Sequence, residues 1–295
     1  MKLNISTAIA AGIAATIVQS LSGGKPALAV TLTGLTNSNT LVIFDSATPG
    51  TTTSRAVSGV NGTLIGIDYR PANGQLYGVS DANQIYTINP TTGAATLAST
   101  LSTNFTSGAQ SGVDFNPVPD LLRLAGSNDQ NLRINVDTAA TLVDGTLAYA
   151  TGDPNFGVNP NITASAYTNS FAGATSTTLY NIDSNLDVLV TQNPPNNGTL
   201  NTVGSLGVNV GSQGGFDILG ASTAFAAFDS NLYSINLSTG GATSLGAIGG
   251  SPSLVGLAAT PIPEPSATFG LLSAGAWVAV SRLKNRKNRA KLPRA

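Results

Sequence analysis

The chain has 295 residues, of which 41% are apolar and 9% charged, with 33 glycines, 15 prolines, no cysteine and no histidine, whereas soluble domains usually carry about 25% charged residues. The lack of cysteine and histidine excludes a disulfide framework, a thiolate nucleophile, a Cys/His zinc site and a Ser-His-Asp relay. Residues 30–260 hold thirteen aspartates, four arginines and no lysine or glutamate; their formal charge of −9 repels phosphate backbones, so we expect no binding to nucleic acid.

The first 29 residues have the order of segments found in a secretory signal peptide. Lys2 is followed by an uncharged stretch that includes Ile5, Ile9 and Ile13, and the segment closes on Ala27-Leu28-Ala29. Small residues in this A-x-A arrangement are what signal peptidase cleaves. We therefore predict cleavage after Ala29, with Ala27 and Ala29 as the recognition residues, and export of the rest. A buried N-terminal helix is the alternative interpretation, but such a helix does not need this order of segments.

Residues 30–260 repeat one sequence pattern five times. The pattern starts with Gly66-Ile67-Asp68-Tyr69-Arg70-Pro71 and returns after 46, 52, 51 and 41 residues, at Gly112, Ala164, Gly215 and Gly256. Well-preserved copies continue with two apolar runs split by a polar turn, and they end on a Thr-Gly turn, as in 76–93 and 225–240. Such runs predict strands joined by hairpins. A period of about 40–50 residues with four strands predicts the blades of a β-propeller.

The two ends of this region together make the fifth blade, whose first strand is the copy at Gly256. Residues 41–50 match the last two strands of a blade, and residues 254–259 match the missing first strand. The sequence therefore predicts an all-β, five-bladed propeller that closes by pairing of its N- and C-terminal strands, which leaves no open sheet edge. A β-sandwich with fortuitous repeats is the alternative fold.

One repeat position places aspartates around the predicted central channel, because the first strand of each blade lines it. The five copies carry Asp68, Asp114, Ala166, Asp217 and Ala258 there. Three carboxylates suit a hard cation, so Asp68, Asp114 and Asp217 are candidate ligands of a structural Ca²⁺. The alternative is that each aspartate caps backbone N–H groups of a neighbouring strand or turn, or pairs with an arginine. Alanine at two of the five positions favours this alternative.

Two arginines lie in one repeat, at positions that hold aromatic residues elsewhere. Arg123 stands where other copies have Tyr77 or Phe225, and Arg133 where they have Tyr86 or Tyr233. The pair could bind an anionic sugar or carboxylate. The alternative is burial in ion pairs with Asp114, Asp120 or Asp137.

Asp183-Ser184-Asn185-Leu186-Asp187 has the D-x-N-x-D spacing of a calcium loop. An EF-hand loop also needs glycine at position six and glutamate at position twelve, where this chain has Val188 and Pro194. We therefore interpret the segment as a hairpin turn.

The last 35 residues have three parts. Pro263-Glu264-Pro265 is followed by the uncharged run Ala267–Val280 and then by a basic cluster that starts at Arg282. A helix over that run rises about 21 Å, somewhat short of the roughly 30 Å hydrocarbon core. We predict a membrane helix with its basic end in the cytoplasm.

This tripartite tail resembles the PEP-CTERM sorting signal of Gram-negative bacteria and cyanobacteria. The resemblance implies that an exosortase reads Pro263, Glu264 and Pro265, that the helix holds the protein in the membrane before processing, and that the product reaches the cell surface or extracellular matrix. A plain C-terminal anchor is the alternative. Residues 30–260 resemble an uncharacterised bacterial propeller-like domain of unknown function, through segments 66–71, 113–120 and 131–135. That resemblance implies no activity.

The sequence thus divides into a signal peptide at 1–29, a propeller at 30–260 and a sorting signal at 261–295. We expect a non-enzymatic surface or matrix protein whose propeller is a binding or structural module, with exopolysaccharide as its expected partner. The alternative is a secreted Ca²⁺-dependent propeller hydrolase of the lactonase or phosphoesterase type. The general acid and the general base of such an enzyme would then have to be aspartate, tyrosine or bound water.

Overall fold

A computed structural model describes residues 29–108 and 110–261, and these residues form five small sheets. In chain order the strands are β1 (Thr31–Thr36), β2 (Thr40–Asp45), β3 (Thr48–Ala56), β4 (Leu64–Tyr69), β5 (Leu76–Ser80), β6 (Gln84–Ile88), β7 (Ala95–Thr100), β8 (Ser111–Asn116), β9 (Leu121–Gly126), β10 (Asn131–Ile134), β11 (Thr141–Val143), β12 (Ala148–Tyr149), β13 (Ile162–Tyr167), β14 (Leu179–Asp183), β15 (Val188–Gln192), β16 (Thr199–Ser205), β17 (Gly214–Leu219), β18 (Thr223–Phe228), β19 (Asn231–Ile235), β20 (Ala242–Ala247) and β21 (Leu254–Ala259). A short 3₁₀ turn covers Pro195–Asn197.

The five sheets are the blades of a propeller, which confirms the predicted fold class. Blade 1 has the order β21-β1-β2-β3, blade 2 β4-β5-β6-β7, blade 3 β8-β9-β10-β11 and blade 5 β17-β18-β19-β20. Blade 4, β13-β14-β15-β16-β12, gains a fifth strand that runs parallel to β16 at its outer edge. The inner strands β4, β8, β13, β17 and β21 each contact the next, and the contact between β21 and β4 closes the ring.

Strand pairing between the two ends of the domain completes blade 1. Leu257 of β21 lies opposite Gly34 of β1 in an antiparallel ladder, which confirms that N- and C-terminal strands pair to close the ring. The N-terminal segment contributes three strands to this blade, however, so the expectation of two was wrong. The missed strand is β1, whose sequence Thr-Leu-Thr-Gly-Leu-Thr alternates a buried leucine with threonine and contains a glycine that weakens the strand signal.

A turn with the same hydrogen bonds joins the third and fourth strands of several blades. The Oδ1 atom of Asn89 accepts hydrogen bonds from the N–H groups of Thr91 and Thr92. Asn135 and Asn236 accept equivalent bonds in blades 3 and 5. Gly93 ends the first of these turns with φ +78°, and a Cβ there would lie 2.1 Å from the carbonyl oxygen of Ala56. The asparagine and the glycine therefore fix the hairpin.

Apolar side chains fill the spaces between blades, while the outer strands face water. Tyr77 of blade 2 meets Phe115 of blade 3 edge to face, with ring centroids 5.3 Å apart. The inner strand β13 is buried at every position, whereas the outer strand β7 is largely exposed. This gradient of burial from axis to rim places the inner-strand residues in the least solvated part of the molecule.

Candidate functional site

Three aspartates meet on the propeller axis. Asp68, Asp114 and Asp217 are buried, and each offers a carboxylate oxygen so that the three oxygens lie within 4.8 Å of one another. They occupy one register position, because each lies opposite the equivalent residue of the second strand of its blade. Asp68 pairs with Tyr77, Asp114 with Arg123 and Asp217 with Phe225. The repeat therefore predicts the convergence of the three side chains.

The carboxylates cap backbone N–H groups at the axis. Asp68 accepts hydrogen bonds from the N–H of Tyr69 at 2.7 Å and of Phe115 in the next blade at 2.8 Å. Asp217 likewise accepts from Ile218 at 2.6 Å and from Ala259 at 2.5 Å. The Oδ1 atom of Asp114 accepts from Tyr167 at 3.1 Å. Capping was the alternative interpretation in the sequence, and this geometry agrees with it.

Three carboxylates suffice for five blades because two of them bind twice. Each aspartate reaches the N–H that follows the ring position of the next blade. Where the preceding blade carries alanine, at Ala166 and Ala258, the following aspartate also binds its own next N–H. The five N–H groups after the ring positions, those of Tyr69, Phe115, Tyr167, Ile218 and Ala259, all have a carboxylate partner. This arrangement accounts for the two alanines.

Burial makes ionisation of this cluster costly. It raises the pKa of Asp217 to about 6, against the lowering effect of the two backbone hydrogen bonds. Burial also raises the pKa of Asp68, with a further contribution from the charge of Asp217. The pKa of Asp114 is raised by burial and then by the charges of Asp68 and Asp217. The cluster can therefore hold protons near neutral pH, and a cation bound among the oxygens would have the opposite effect on each pKa.

The channel beside the cluster is nearly closed. Glycines two residues before the ring position let neighbouring inner strands approach closely: a Cβ on Gly112 would lie 1.9 Å from Ser165 Oγ, and one on Gly215 would lie 2.4 Å from the backbone nitrogen of Leu257. The remaining cavity is about 10 Å³, the space of roughly one water molecule. The buried hydroxyl of Thr163, which has no hydrogen-bond partner among the described residues, belongs to its lining.

Arg123 is fully buried between blades 3 and 4. It donates to Asp144 and Asn131, both at 2.6 Å, to Asn196 at 2.9 Å and to the hydroxyl of Tyr167 at 3.1 Å. A chain of bonds from Asn131 through Gln192 and Asn181 to Ser165 links this network to the channel wall. The sequence analysis did not predict this series of hydrogen bonds. Polar residues inside otherwise apolar strands of blade 4 were the one sequence feature that could have indicated it.

Arg133 also binds Asp144, through Nε at 2.7 Å and Nη2 at 2.8 Å. The predicted ion-pair partners Asp114, Asp120 and Asp137 were therefore wrong for both arginines. Asp144 directly follows β11, which pairs with β10, and so it returns beside both guanidinium groups. The predicted alignment of Arg133 with Tyr86 and Tyr233 was also off by one residue.

The register explains that error. Arg133 lies opposite Arg123, as Thr87 lies opposite Tyr77 in blade 2 and Ser234 opposite Phe225 in blade 5. A shift by one residue reverses the face of a strand. The two arginines consequently share one face and one carboxylate.

Asp120 and Asp137 bind Arg70 instead. Arg70 of blade 2 donates to both oxygens of Asp120, at 2.9 and 2.6 Å, and to both oxygens of Asp137, at 2.8 and 2.7 Å. Its guanidinium also lies 5.8 Å from the ring centroid of Tyr77. These ion pairs join blades 2 and 3. They lie at the end of the channel where the first strand of each blade connects to the second.

Residues 183–187 form a hairpin turn between β14 and β15, as the sequence indicates. Asp183 Oδ1 accepts a hydrogen bond from the N–H of Asn185 at 2.8 Å, and Asp183 Oδ2 accepts one from the hydroxyl of Tyr149 at 2.6 Å. Both carboxylate oxygens are therefore used within the fold.

The predicted cleavage residues Ala27 and Ala29, the sorting residues Pro263, Glu264 and Pro265, and the membrane helix concern the two ends of the chain. Ala29 is the first described residue, and the others lie outside the described residues. Within residues 29–108 and 110–261 there is no helix of the length and apolarity needed to cross a bilayer.

Comparison with known proteins identifies a family but no activity. A family model described as a domain of unknown function, DUF4394, matches residues 40–258. No curated protein matches the sequence. A chain of the crystal structure of a nidogen/laminin complex is similar over 79% of this chain and 84% of its own, with 11% identity and a TM-score of 0.43. A structural genomics protein of unknown function from Bacteroides thetaiotaomicron VPI-5482 is similar over 72% of this chain and 55% of its own, with 14% identity and a TM-score of 0.46.

Proposed function

The chain belongs to the DUF4394 family, and we propose that it is an exported, non-catalytic propeller that binds polysaccharide at the cell surface or in the extracellular matrix. The proposal that the protein is not an enzyme rests on one observation: charged side chains that could act in catalysis are bonded to other groups of the fold. Asp68, Asp114 and Asp217 cap backbone groups at the axis, and three of the four described arginines are bound to aspartates.

A catalytic site needs a titratable group that can reach a substrate. The axial carboxylates are buried, and the cavity beside them has room for about one water molecule. Residues 30–260 also lack histidine, lysine, glutamate and cysteine. The axial cluster therefore supports a structural role better than a catalytic one.

A Ca²⁺-dependent hydrolase is the second candidate, because three carboxylate oxygens within 4.8 Å of one another match the ligands that Ca²⁺ prefers. The backbone hydrogen bonds to the same carboxylates and the narrow channel weigh against an open catalytic ion. A structural Ca²⁺ held by Asp68, Asp114 and Asp217 stays a prediction, which melting curves in Ca²⁺ and in EDTA test.

Export and sorting rest on the two ends of the sequence. The A-x-A pattern that ends at Ala29 supports cleavage by signal peptidase, and Pro263, Glu264 and Pro265 followed by an apolar run and a basic cluster support processing by an exosortase. Mass spectrometry of protein released from the cell surface tests both steps. We expect material that starts at Val30 and lacks residues 266–295; surface material that retains those residues would contradict the exosortase step.

Co-sedimentation with insoluble matrix polysaccharide from the producing organism tests the binding function. The full chain, kept in a detergent without a sugar headgroup, should pellet saturably with the polysaccharide and stay in solution without it. Failure to pellet would overturn the binding function. Hydrolysis of a lactone or phosphoester by the chain that is lost in Asp114→Asn and kept in the control Asp229→Asn, an exposed turn residue, would overturn the non-catalytic assignment.

A further inference from the structure

Phe156 is exposed where the fold gives no reason for exposure. The described residues include fifteen phenylalanines and tyrosines, and fourteen of them are buried or half-buried. Phe156 alone is exposed, with 60% of its surface accessible. An aromatic ring in water forgoes a large favourable burial term, and its exposed face is free to stack on a ligand.

The loop that carries Phe156 is an addition to the propeller. The connection from β11 to the inner strand β13 spans residues 144–161, whereas the corresponding connections of the other blades have six to ten residues. The extra length forms β12 and then a loop that packs along the outer edge of blade 4. Since the other blades close without such a loop, ring closure does not explain it.

Hydrogen bonds hold the loop in one conformation. Asp153 accepts bonds from the N–H of Asn155 at 2.9 Å and from the N–H and hydroxyl of Thr202 at 2.6 and 2.8 Å. Asn155 donates to the same hydroxyl at 2.9 Å, and the N–H of Phe156 donates to the carbonyl of Asp153 at 3.0 Å. A ring held in this way loses little conformational entropy when it binds.

The loop carries little exposed apolar surface. Among residues 151–159 the exposed large apolar side chains are Phe156 and Val158, which is 39% exposed, whereas stable protein interfaces bury about 800 Å² on each partner. A Cβ added at Gly152 or Gly157 would meet nothing within 4 Å, so the backbone at these two positions of the loop borders open space. One accessible ring suits a small flat apolar surface such as the C–H face of a pyranose, whose weakly positive hydrogens pack on the negative face of the ring.

The charge near the loop favours an uncharged sugar. Although partial burial opposes it, the hydrogen bonds from Thr202 and Asn155 hold the pKa of Asp153 below its usual range. The carboxylate is therefore ionised at neutral pH, and no described arginine bonds to residues 150–161. This negative charge, three residues before Phe156 in the same loop, and the formal charge of −9 on residues 30–260 disfavour uronic acids and sulfated sugars.

We propose that the loop of residues 151–159 is a glycan-binding site in which Phe156 stacks on a neutral pyranose of a polysaccharide. This inference rests on the proposed binding function and adds its location and ligand class. Phe156 is the contact residue, while Asp153 and Thr202 position the loop.

Native gel electrophoresis through a polysaccharide-containing gel tests the site with a defined probe. The full chain runs in a detergent without a sugar headgroup, through gels that contain hydroxyethyl cellulose as the neutral polymer or polygalacturonate as the acidic one. We expect retardation by the neutral polymer alone. Phe156→Ala should weaken binding about tenfold or more, since an anchor side chain contributes more than about 1.4 kcal/mol, while Phe156→Tyr and the control Val143→Ala, which is exposed in blade 3, should bind as the unaltered chain does.

Each other outcome separates the site from the proposed function. Pelleting with matrix polysaccharide that Phe156→Ala leaves intact would overturn the site and keep the function. An unaltered chain that neither pellets with matrix polysaccharide nor is retarded in either gel would overturn both. Retardation by polygalacturonate alone would overturn the neutral ligand. Sedimentation velocity that shows a dimer dissociated by Phe156→Ala would assign the ring to self-association and overturn glycan stacking. An unchanged melting temperature in Phe156→Ala shows that the variant is folded.

Discussion

The axial carboxyl groups should make the folded protein less stable as the pH rises from 5 to 8, the reverse of ordinary acid unfolding. A carboxyl group whose pKa is raised by folding stabilises the protein fully below its unfolded pKa, and this stabilisation is lost as the pH rises through the folded pKa. For Asp217 that range runs from about 3.9 in the unfolded chain to about 6 in the folded one. Asp68 and Asp114 shift in the same direction.

The expected size follows from the shift. Two pKa units at 1.36 kcal/mol each give about 3 kcal/mol for Asp217 alone, and a domain of this size changes its melting temperature by about 2–4 °C per kcal/mol. Since the unfolded carboxyl group is already ionised at pH 5, about half of this free energy, roughly 1.4 kcal/mol, is lost between pH 5 and pH 8. We therefore expect the melting temperature in EDTA to fall by about 3–6 °C or more over that range. Asp137 and Asp153, whose pKa values are lowered, lose their contributions only below about pH 4, outside this window.

Two substitutions distinguish burial of charge from hydrogen bonding. Asp114 accepts one described backbone bond, on Oδ1. Asp114→Asn keeps that bond, removes one ionisable group whose charge burial disfavours, and should raise the melting temperature at pH 8. Asp217 uses both oxygens as acceptors, so Asp217→Asn would turn an amide donor toward a backbone N–H and cost about 1–3 kcal/mol at pH 5. Differential scanning calorimetry at pH 5, 6, 7 and 8 measures both effects. A melting temperature that stays constant or rises over this range in EDTA, or an Asp114→Asn variant less stable than the parent at pH 8, would refute the reasoning.

Three further outcomes are expected. If Ca²⁺ binds at the axis, Ca²⁺ at 100 times its Kd should add about 2.7 kcal/mol of stability at pH 8, and Asp114→Asn should weaken this effect in a titration; an identical melting curve in Ca²⁺ and in EDTA would exclude the ion. Arg123→Met should destabilise the protein by about 3–5 kcal/mol in urea unfolding, because it removes one of the two arginines that bind the buried Asp144 carboxylate, together with the bonds to Asn131 and Asn196. Arg133→Gln, at the more exposed end of the same network, should cost clearly less; equal losses would contradict the assigned burial. Gly112→Ala should cost about 1–3 kcal/mol because the new Cβ meets Ser165, whereas Gly50→Ala, with its nearest neighbour 3.9 Å away, should cost less than about 0.5 kcal/mol.

Much of the fold could be predicted because blades are local units. The spacing of the Gly-x-Asp repeat and the Thr-Gly turns predicts the strands within each hairpin, and these contacts join residues close in sequence. The incomplete blade at the N-terminus also predicts that the two ends of the domain pair, although the strand that pairs with β21, β1, was missed. Its Thr-Leu-Thr-Gly sequence has no turn signal before it and no apolar run to mark it.

The axial cluster could be predicted in part, and the partners of its neighbours could not. The repeat places Asp68, Asp114 and Asp217 at one register position, because side chains at equivalent positions of a closed ring must converge. Which N–H each carboxylate binds depends on how far adjacent inner strands are shifted along one another. The sequence does not determine that shift.

By itself, the sequence determined the number of blades, the closure of the ring, the position of the three axial aspartates and the chemistry excluded by the missing residue types. Only the tertiary structure decided that Asp144 serves Arg123 and Arg133, that Asp120 and Asp137 serve Arg70, and that Phe156 is left in water on a braced loop. The physical reason is range: hairpins and repeats arise from neighbouring residues, whereas ion pairs between blades and exposure at the rim depend on how separate blades pack against one another.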